Sequence, residues 1–404
     1  MLGSVAYLLL LVTASPFHRA RPPGGPAPAS RLLVLIPAHD EAPLIGACVR
    51  SLLGQTYPAA LRRIVVIADN CADTTATVAL EAGATIMVRH DPAAPGKGRA
   101  LRWAMDHVIE LAWQPDAVVV VDADSTADPE LLMRLERELS AGHPVVQAEC
   151  LVLAQADSPR QQLERVAVAL RLDLRFAGRA ALGMPALLSG NGMLFSRRVL
   201  EQFPWSAFSA VEDAEFALRL RIAGVRTRYA RGARVYAPAT SSERGATTQG
   251  LRWEGGRFAL IRSWIGPMAG TMLRRRDWSL LDMVVDLAVP PLGLLGAAAL
   301  LGTGIVAALV LVGIVPPRAL LPWAVATAGI VIYLLIGMRL TGAPASAYLA
   351  LLSSSPGFIV RKLRVYSRLL AGFDSNLWVR TERLHEARAR GGRPLDERRT
   401  DAAP

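Results

Sequence analysis

The chain has 404 residues, 52% of them from the hydrophobic set, and a formal net charge of +11. That length holds roughly two or three domains and a core needing no disulfide or metal staple, and the apolar content excludes general disorder. The charge does not mark a nucleic-acid binder: residues 31–261 carry 26 Lys/Arg against 25 Asp/Glu, and the excess lies in flanks such as 361–404, with 11 basic and 6 acidic groups.

A mean hydropathy of +0.31 points to membrane segments, and the first lies at the start. Residues 1–15 begin with an uncharged apolar run, shorter than the ~20 residues of a spanning helix. His18, Arg19 and Arg21 follow it, which suits an N-terminal membrane anchor with its C-terminal end inside. A signal peptide is the other reading, weakened by the lack of a basic segment before the run. Residues 16–30, rich in Pro and Gly, read as a linker.

From 31 to 261 short β-rich runs alternate with helical ones. RLLVLIP (31–37), RIVVIAD (63–69), ATIMVR (84–89), AVVVVDAD (117–124) and PVVQAE (144–149) are predicted strands. Helices are predicted through Leu53, near 74–82, 98–112 and 129–141, over 160–182, and over 211–224 with Gly224 as its stop. The pattern predicts an α/β, Rossmann-like, mainly parallel sheet, with the all-apolar runs buried on both faces.

The last third is different. Residues 262–286 read as an interfacial segment and 287–338 as a transmembrane hairpin, turning at Pro316, Pro317 and Arg318. Arg274, Arg275 and Arg276 flank one outer end and Arg339 the other, which puts both ends and the 31–261 block on the cytoplasmic side of the inner (plasma) membrane. Residues 339–380 read as an interfacial or re-entrant segment and 381–404 as a basic cytoplasmic tail.

Ligands of doubly wound sheets bind beyond the carboxyl ends of the strands, and acids cluster there: Asp40 and Glu41, Asp69, Asp122 and Asp124. Any one of them could simply cap the next helix. Two carboxylates at i and i+2 leaving a strand, as in DAD (122–124), can reach one hard cation such as Mg2+ or Mn2+. Only two basic residues are lysines, and Lys97 lies between glycines in PGKGRAL, where it could hold a phosphate. The P-loop spacing fails there, which rejects a Walker ATPase. Glu212 and Asp213 open a helix, where acids also complement the dipole. Gln249, Arg252 and Trp253 form QGLRW: a guanidinium fork for pyrophosphate and an aromatic face for a sugar, or an interfacial Trp beside a snorkelling Arg. Three scattered cysteines and six histidines without HExxH argue against zinc.

The order PAHDE, ADNCAD, GKGRAL, DAD, SGNG, VED and QGLRW resembles family 2 glycosyltransferases over about 31–260, and with the hairpin it looks like the branch of cellulose, chitin and hyaluronan synthases and bacterial exopolysaccharide enzymes. The resemblance implies a GT-A domain that moves a sugar with inversion from a nucleotide sugar, expected to be a UDP-sugar, to a glycan or lipid-linked acceptor, together with polysaccharide-export partners. It assigns donor binding to Pro37, Glu41, Asp69, Lys97, Asp122, Gln249 and Arg252, and metal binding to Asp122 and Asp124. Asp213, with Glu212, would be catalytic, Asp213 as the base; Gly190, Asn191 and Trp253 would line the acceptor side. Ala68, Val211 and Gly250 depart from the family's pattern. A single-sugar transferase onto a polyprenyl carrier, and a non-catalytic nucleotide-sugar-binding scaffold, are the rival readings.

Overall fold

The computed structural model describes residues 1–21, 24–108, 113–154, 158–239, 243–351, 353 and 365–367. Helix α1 (Leu2–Ala14) comes first. Then β1 (Leu32–Ala38), α2 (Ala42–Leu53), β2 (Arg62–Asp69), α3 (Thr75–Glu81), β3 (Thr85–Arg89), α4 (Lys97–Val108), β4 (Ala117–Val120), β5 (Thr126–Ala127), α5 (Leu131–Ser140) and β6 (Val145–Leu153) alternate. After α6 (Pro159–Arg171) and α7 (Asp173–Ala181) come β7 (Met193–Ser196), α8 (Arg197–Gln202), α9 (Glu212–Ile222) and β8 (Thr227–Pro238). Four helices follow: α10 (Glu243–Arg275), α11 (Leu281–Ala288), α12 (Leu292–Leu311) and α13 (Leu321–Leu340).

The strands form one sheet in the order β3-β2-β1-β4-β7-β6-β8-β5. The pairs β1/β2, β1/β4, β2/β3 and β6/β8 are parallel, whereas β7 runs antiparallel to both β4 and β6. The sheet is the expected Rossmann-like, mainly parallel one. Every residue of β4 is buried, as is β1 except for Pro37, so both faces are covered. One face packs Val34, Ile36, Val66 and Val119 against Ile45 of α2 and Leu135 of α5. The other packs Leu35, Ile67 and Val118 against Leu101 of α4 and Phe216 of α9. Pro37 sits in a central strand without breaking it. Leu35 accepts the Val121 N–H on the β4 side, so Pro37, two residues on, faces the same side just beyond the end of β4.

Residues 160–182 are two helices rather than one. The break falls at Leu172, where the buried Asp173 accepts a 2.7 Å bond from Tyr229 Oη and ties α7 to the sheet. Helix α10 runs without interruption through position 261. Two helical stretches are long and apolar enough to cross a membrane, Leu292–Leu311 and Pro317–Leu340. They pack through small contacts: Gly302 receives the Trp323 ring, and Thr303 Oγ1 lies 3.2 Å from Thr327 Oγ1. Most of the segment 352–380, and the tail expected over 381–404, lie outside the described residues.

Helix α1 packs against this layer. Leu11 sits against Gly178 of α7, where a Cβ would collide with the Leu11 carbonyl, and Val5 sits against Gly329 of α13. A buried polar junction fastens the contact. Asp286 Oδ1 accepts from Arg175 Nε at 2.8 Å and Tyr7 Oη at 3.1 Å and lies 3.0 Å from Arg179 Nη1. Arg179 also reaches Asp282 at 2.5 Å and the Pro185 carbonyl at 2.9 Å. Arg257 Nη2 donates to the carbonyls of Asp286, Leu287 and Val289. Burial works to raise the Asp286 pKa, but Arg175, Arg179 and Arg257 outweigh it and hold the carboxyl below the usual carboxylate range.

Removing one partner of a buried ion network costs about 3–5 kcal/mol, so Asp286→Ala should lower the thermal midpoint of the detergent-purified chain far more than Asp106→Ala, an exposed control. Because the folded pKa of Asp286 is depressed, its contribution is present above the ordinary carboxylate range and lost as pH falls below it. The difference in melting temperature between wild type and Asp286→Ala should therefore stay constant from pH 7 down to the ordinary carboxylate range and begin to narrow only below it.

Candidate active site

A cavity of about 1040 Å³ lies beyond the carboxyl ends of β1, β2 and β4 and is bounded on its far side by α6, α10 and the start of α12. Its walls include Pro37, Glu41, Asp69, Lys97, Asp122 and Asp124 from the sheet edge, and Gly190, Asn191, Glu212, Asp213, Arg252 and Trp253 from the opposite side. Ten of these twelve are contributed by loops, helix termini and β-strand ends, and Arg252 and Trp253 come from the interior of α10. Gln249, also expected there, lies on the backbone of α10, and its side chain is outside the described residues.

Lys97 opens α4 and is the hub. Its Nζ donates to Asp122 Oδ1 at 2.6 Å and to the Gly190 carbonyl at 2.6 Å, and lies 3.9 Å from Glu212 Oε1. Burial opposes its charge, but Asp122 and Glu212 prevail and raise its pKa above that of an ordinary lysine. The acids respond to the same confinement. Burial raises the Asp122 pKa against the pull of Lys97, and Asp124 adds to the rise. Burial, opposed by Lys97 and reinforced by Asp213, pushes Glu212 up to about 7. Asp213 is raised by burial, with Lys97 and the Ala214 N–H pulling the other way; that N–H donates to Asp213 Oδ1 at 2.7 Å. Carboxylates crowded into one cavity beside one lysine favour a bound cation.

The loop SGNG (189–192) is held from below. Gln147 on β6 accepts the Ser189 N–H through Oε1 at 2.9 Å and donates through Nε2 to the Asn191 carbonyl at 2.8 Å. Asn191 accepts the Asp122 N–H at 3.1 Å and donates to Ser125 Oγ at 2.8 Å, and Ser125 donates to Asp124 Oδ1 at 3.0 Å. Asn191 thus orients both acids of DAD. Gly190 has φ +83°, and a Cβ there would stand 3.1 Å from Asp213 Oδ2 and 3.3 Å from Lys97 Nζ, which excludes a side chain.

Two expected residues are engaged in ways the sequence did not signal. Asp69 Oδ1 is bonded to Arg89 Nη1 at 2.5 Å, because the β2/β3 register sets Asp69 opposite Arg89. The Trp253 ring is covered by the Arg171 guanidinium, 4.0 Å from its centroid. Sequence reasoning missed Arg89, Gln147 and Arg171. For Gln147 the one available signal was a polar residue inside an apolar strand. Among the described residues, Asp40, Cys71 and Asp73 have ligand atoms within 4.8 Å of one another. Asp40 accepts the N–H groups of Ala72 and Asp73, and Asp73 that of Thr75, so these carboxylates serve a turn.

The family model described as "Glycosyltransferase like family 2" matches residues 28–256. No curated protein matches the chain. Among solved structures, the mannosyltransferase PcManGT from Pyrobaculum calidifontis, in complex with GDP-Man and Mn2+, is 18% identical, with a TM-score of 0.48 over 83% of this chain and 95% of its own. Glucosyl-3-phosphoglycerate synthase from Mycobacterium tuberculosis, in complex with Mn2+, UDP and phosphoglyceric acid, is 20% identical, with a TM-score of 0.36 over 55% of this chain and 72% of its own.

Replacing Gln147 with Leu leaves the Ser189 N–H and the Asn191 carbonyl short of a partner, at a cost of about 1–3 kcal/mol, and frees the loop that aligns Asp122. Gln147→Leu should remain folded by circular dichroism, while release of nucleoside diphosphate slows by up to about 10²-fold.

Proposed function

The chain belongs to glycosyltransferase family 2, and from that premise we propose that it is an inverting enzyme whose base is Asp213 and whose donor is a nucleotide sugar held by the sheet-edge residues. The supporting observation is the Lys97 hub: one ammonium bonded to Asp122 and Gly190 and beside Glu212 links the sheet edge to the N-terminus of α9. Such a bridge brings a donor-side acid and an acceptor-side acid to one cavity, as a direct displacement requires.

In this reading the nucleoside, expected to be uridine, lies along Pro37, Glu41 and Asp69, and its diphosphate lies near Lys97, Asp122 and Arg252. Among the described residues Arg252 Nε is buried without a hydrogen-bond partner, a donor suited to an anion entering the cavity. Gln249 would assist from the preceding turn of α10. Asp122 and Asp124 would hold Mg2+ or Mn2+, which when bound offsets charge on the departing diphosphate. The fit rests on an all-oxygen donor pair in a cavity already crowded with carboxylates. An acceptor hydroxyl placed by Gly190, Asn191 and Trp253 gives its proton to Asp213 while its oxygen attacks the anomeric carbon. Burial raises the proton affinity of Asp213, which strengthens it as a base once ionised. Glu212, whose pKa burial raises against the pull of Lys97, stands beside that lysine as a second carboxyl.

The acceptor would be a glycan or lipid-linked sugar in extracellular polysaccharide synthesis. The two span-length helices and their flanking arginines support a catalytic block at the cytoplasmic face of the plasma membrane, next to export partners. Asp213→Asn should lower sugar transfer by about 10²–10⁴-fold with nucleoside diphosphate affinity retained; unchanged turnover would reject Asp213 as the base. Asp124→Asn should abolish stimulation by Mg2+ or Mn2+, measured as nucleoside diphosphate release across a metal titration.

A further inference from the structure

The loop between α8 and α9 carries an aromatic ring that has no part in the chemistry described so far. Phe208 lines the same cavity as Asp213, five residues before it in the chain. A lone apolar side chain on an outer surface needs no explanation, but a ring kept open inside a reaction cavity does. Phe208 is 48% exposed. Among the described residues, the other Phe, Trp and Tyr side chains of that lining are less open: Phe176 and Tyr333 are buried, and Trp253 is half-buried beneath Arg171.

The surrounding residues hold the ring in place. Trp205, almost fully buried, packs on Phe195 and Phe216 with centroids 5.9 and 4.5 Å away. Its Nε1 donates to the Ala207 carbonyl at 2.9 Å, and its own carbonyl accepts from Arg102 Nη1 at 3.3 Å. Ala207 is fully buried against the first turn of α4, where a Cβ at Gly98 would collide with the Ala207 carbonyl oxygen. That close approach accounts for the second glycine of PGKGRAL. Arg99 then lies over the Phe208 ring, its Cζ 5.0 Å from the centroid. Lys97 and Arg99 are separated by roughly 200° around α4. Lys97 accordingly turns to Asp122 and Arg99 to the loop.

A pyranose presents C–H groups on its faces and hydroxyls around its edge, so an open aromatic ring can cover one face and exclude water from it. A ring already fixed by its neighbours makes that contact without losing side-chain freedom. We propose that Phe208 is a stacking platform for a sugar unit of the acceptor, on the ring side away from Arg99, and that Arg99 is the positioning residue that fixes the ring. The inference rests on the glycosyltransferase reading above and adds an acceptor-binding residue to it. Chain position favours the acceptor over the donor: Phe208 belongs to the loop that leads into Glu212 and Asp213, whereas Pro37, Asp69 and Asp122 lie at the ends of β1, β2 and β4.

The test is saturation-transfer NMR of the detergent-purified full chain with cellotetraose, chitotetraose or mannotetraose, with sorbitol as control and no donor present. At least one tetrasaccharide should receive saturation at its ring C–H protons. Its affinity should fall about tenfold in Phe208→Leu, which keeps an apolar side chain without a ring, and stay within about twofold in Phe208→Tyr. Arg99→Ala should give a smaller loss that Arg99→Lys restores, because either cation can lie over the ring. Sorbitol, with hydroxyls but no ring face, should receive no saturation. Silence from all three tetrasaccharides, an equal signal from sorbitol, or no effect of Phe208→Leu would overturn the proposal. UDP affinity, measured by calorimetry on the same proteins, should be equal in all of them; a parallel fall in Phe208→Leu would overturn the acceptor assignment. Binding is read without turnover, so a failed Asp213→Asn prediction and a failed platform are separate results.

Discussion

The Asp286 carboxylate accepts Arg175 and the Tyr7 hydroxyl and pairs with Arg179, while its own carbonyl accepts Arg257. Four helices, α1, α7, α10 and α11, therefore meet at one buried group. A charge of this kind is tolerated away from water only when its partners are all in place, which makes the arrangement close to all-or-none. Its consequence is positional. It holds the layer carrying Arg171, Arg252 and Trp253 at a set distance from the sheet edge carrying Asp122 and Asp124, and the cavity is the space left between them.

On the sheet side the matching constraint is hydrophobic. β1 and β4 are apolar almost throughout and buried on both faces, so they can occupy only the middle of a covered sheet. The parallel strands then all end at one edge, and whatever follows them faces the same opening. Lys97 and Asn191 convert that proximity into fixed geometry: Lys97 joins Asp122 to Gly190 and neighbours Glu212, and Asn191 reaches the backbone of Asp122 and, through Ser125, the side chain of Asp124. The raised carboxyl pKa values at this edge follow from assembling several acids where water is scarce, a cost that a ligand's cation or proton offsets.

Much of this was legible in the linear chain because it depends on short patterns. The strands around VVIA and VVVV, the acids after them, the glycine-flanked Lys97 and the helix opened by Glu212 and Asp213 are local signals, and the structure gathers them in one cavity. The pieces that were not legible are pairings between distant segments. Arg89 meets Asp69 through strand register, Gln147 meets Ser189 and Asn191 across β6 and β7, and Arg171 meets Trp253 between helices α6 and α10. The division of 160–182 into two helices has the same origin, since the Tyr229–Asp173 bond lies outside any local window.

The amino-acid order by itself determined the class of sheet, the edge at which the chemistry-bearing residues gather and the two apolar stretches long enough to cross a membrane, because each follows from hydrophobic periodicity and from residues within a few positions of a strand end. Only the tertiary structure decided that Asp69 is bound to Arg89, that one lysine serves both sides of the site, and that the cavity continues past three arginines to the apolar helices. Those features arise from side chains far apart in sequence whose charges must be balanced within one buried volume, and that balance exists only once the layers have packed.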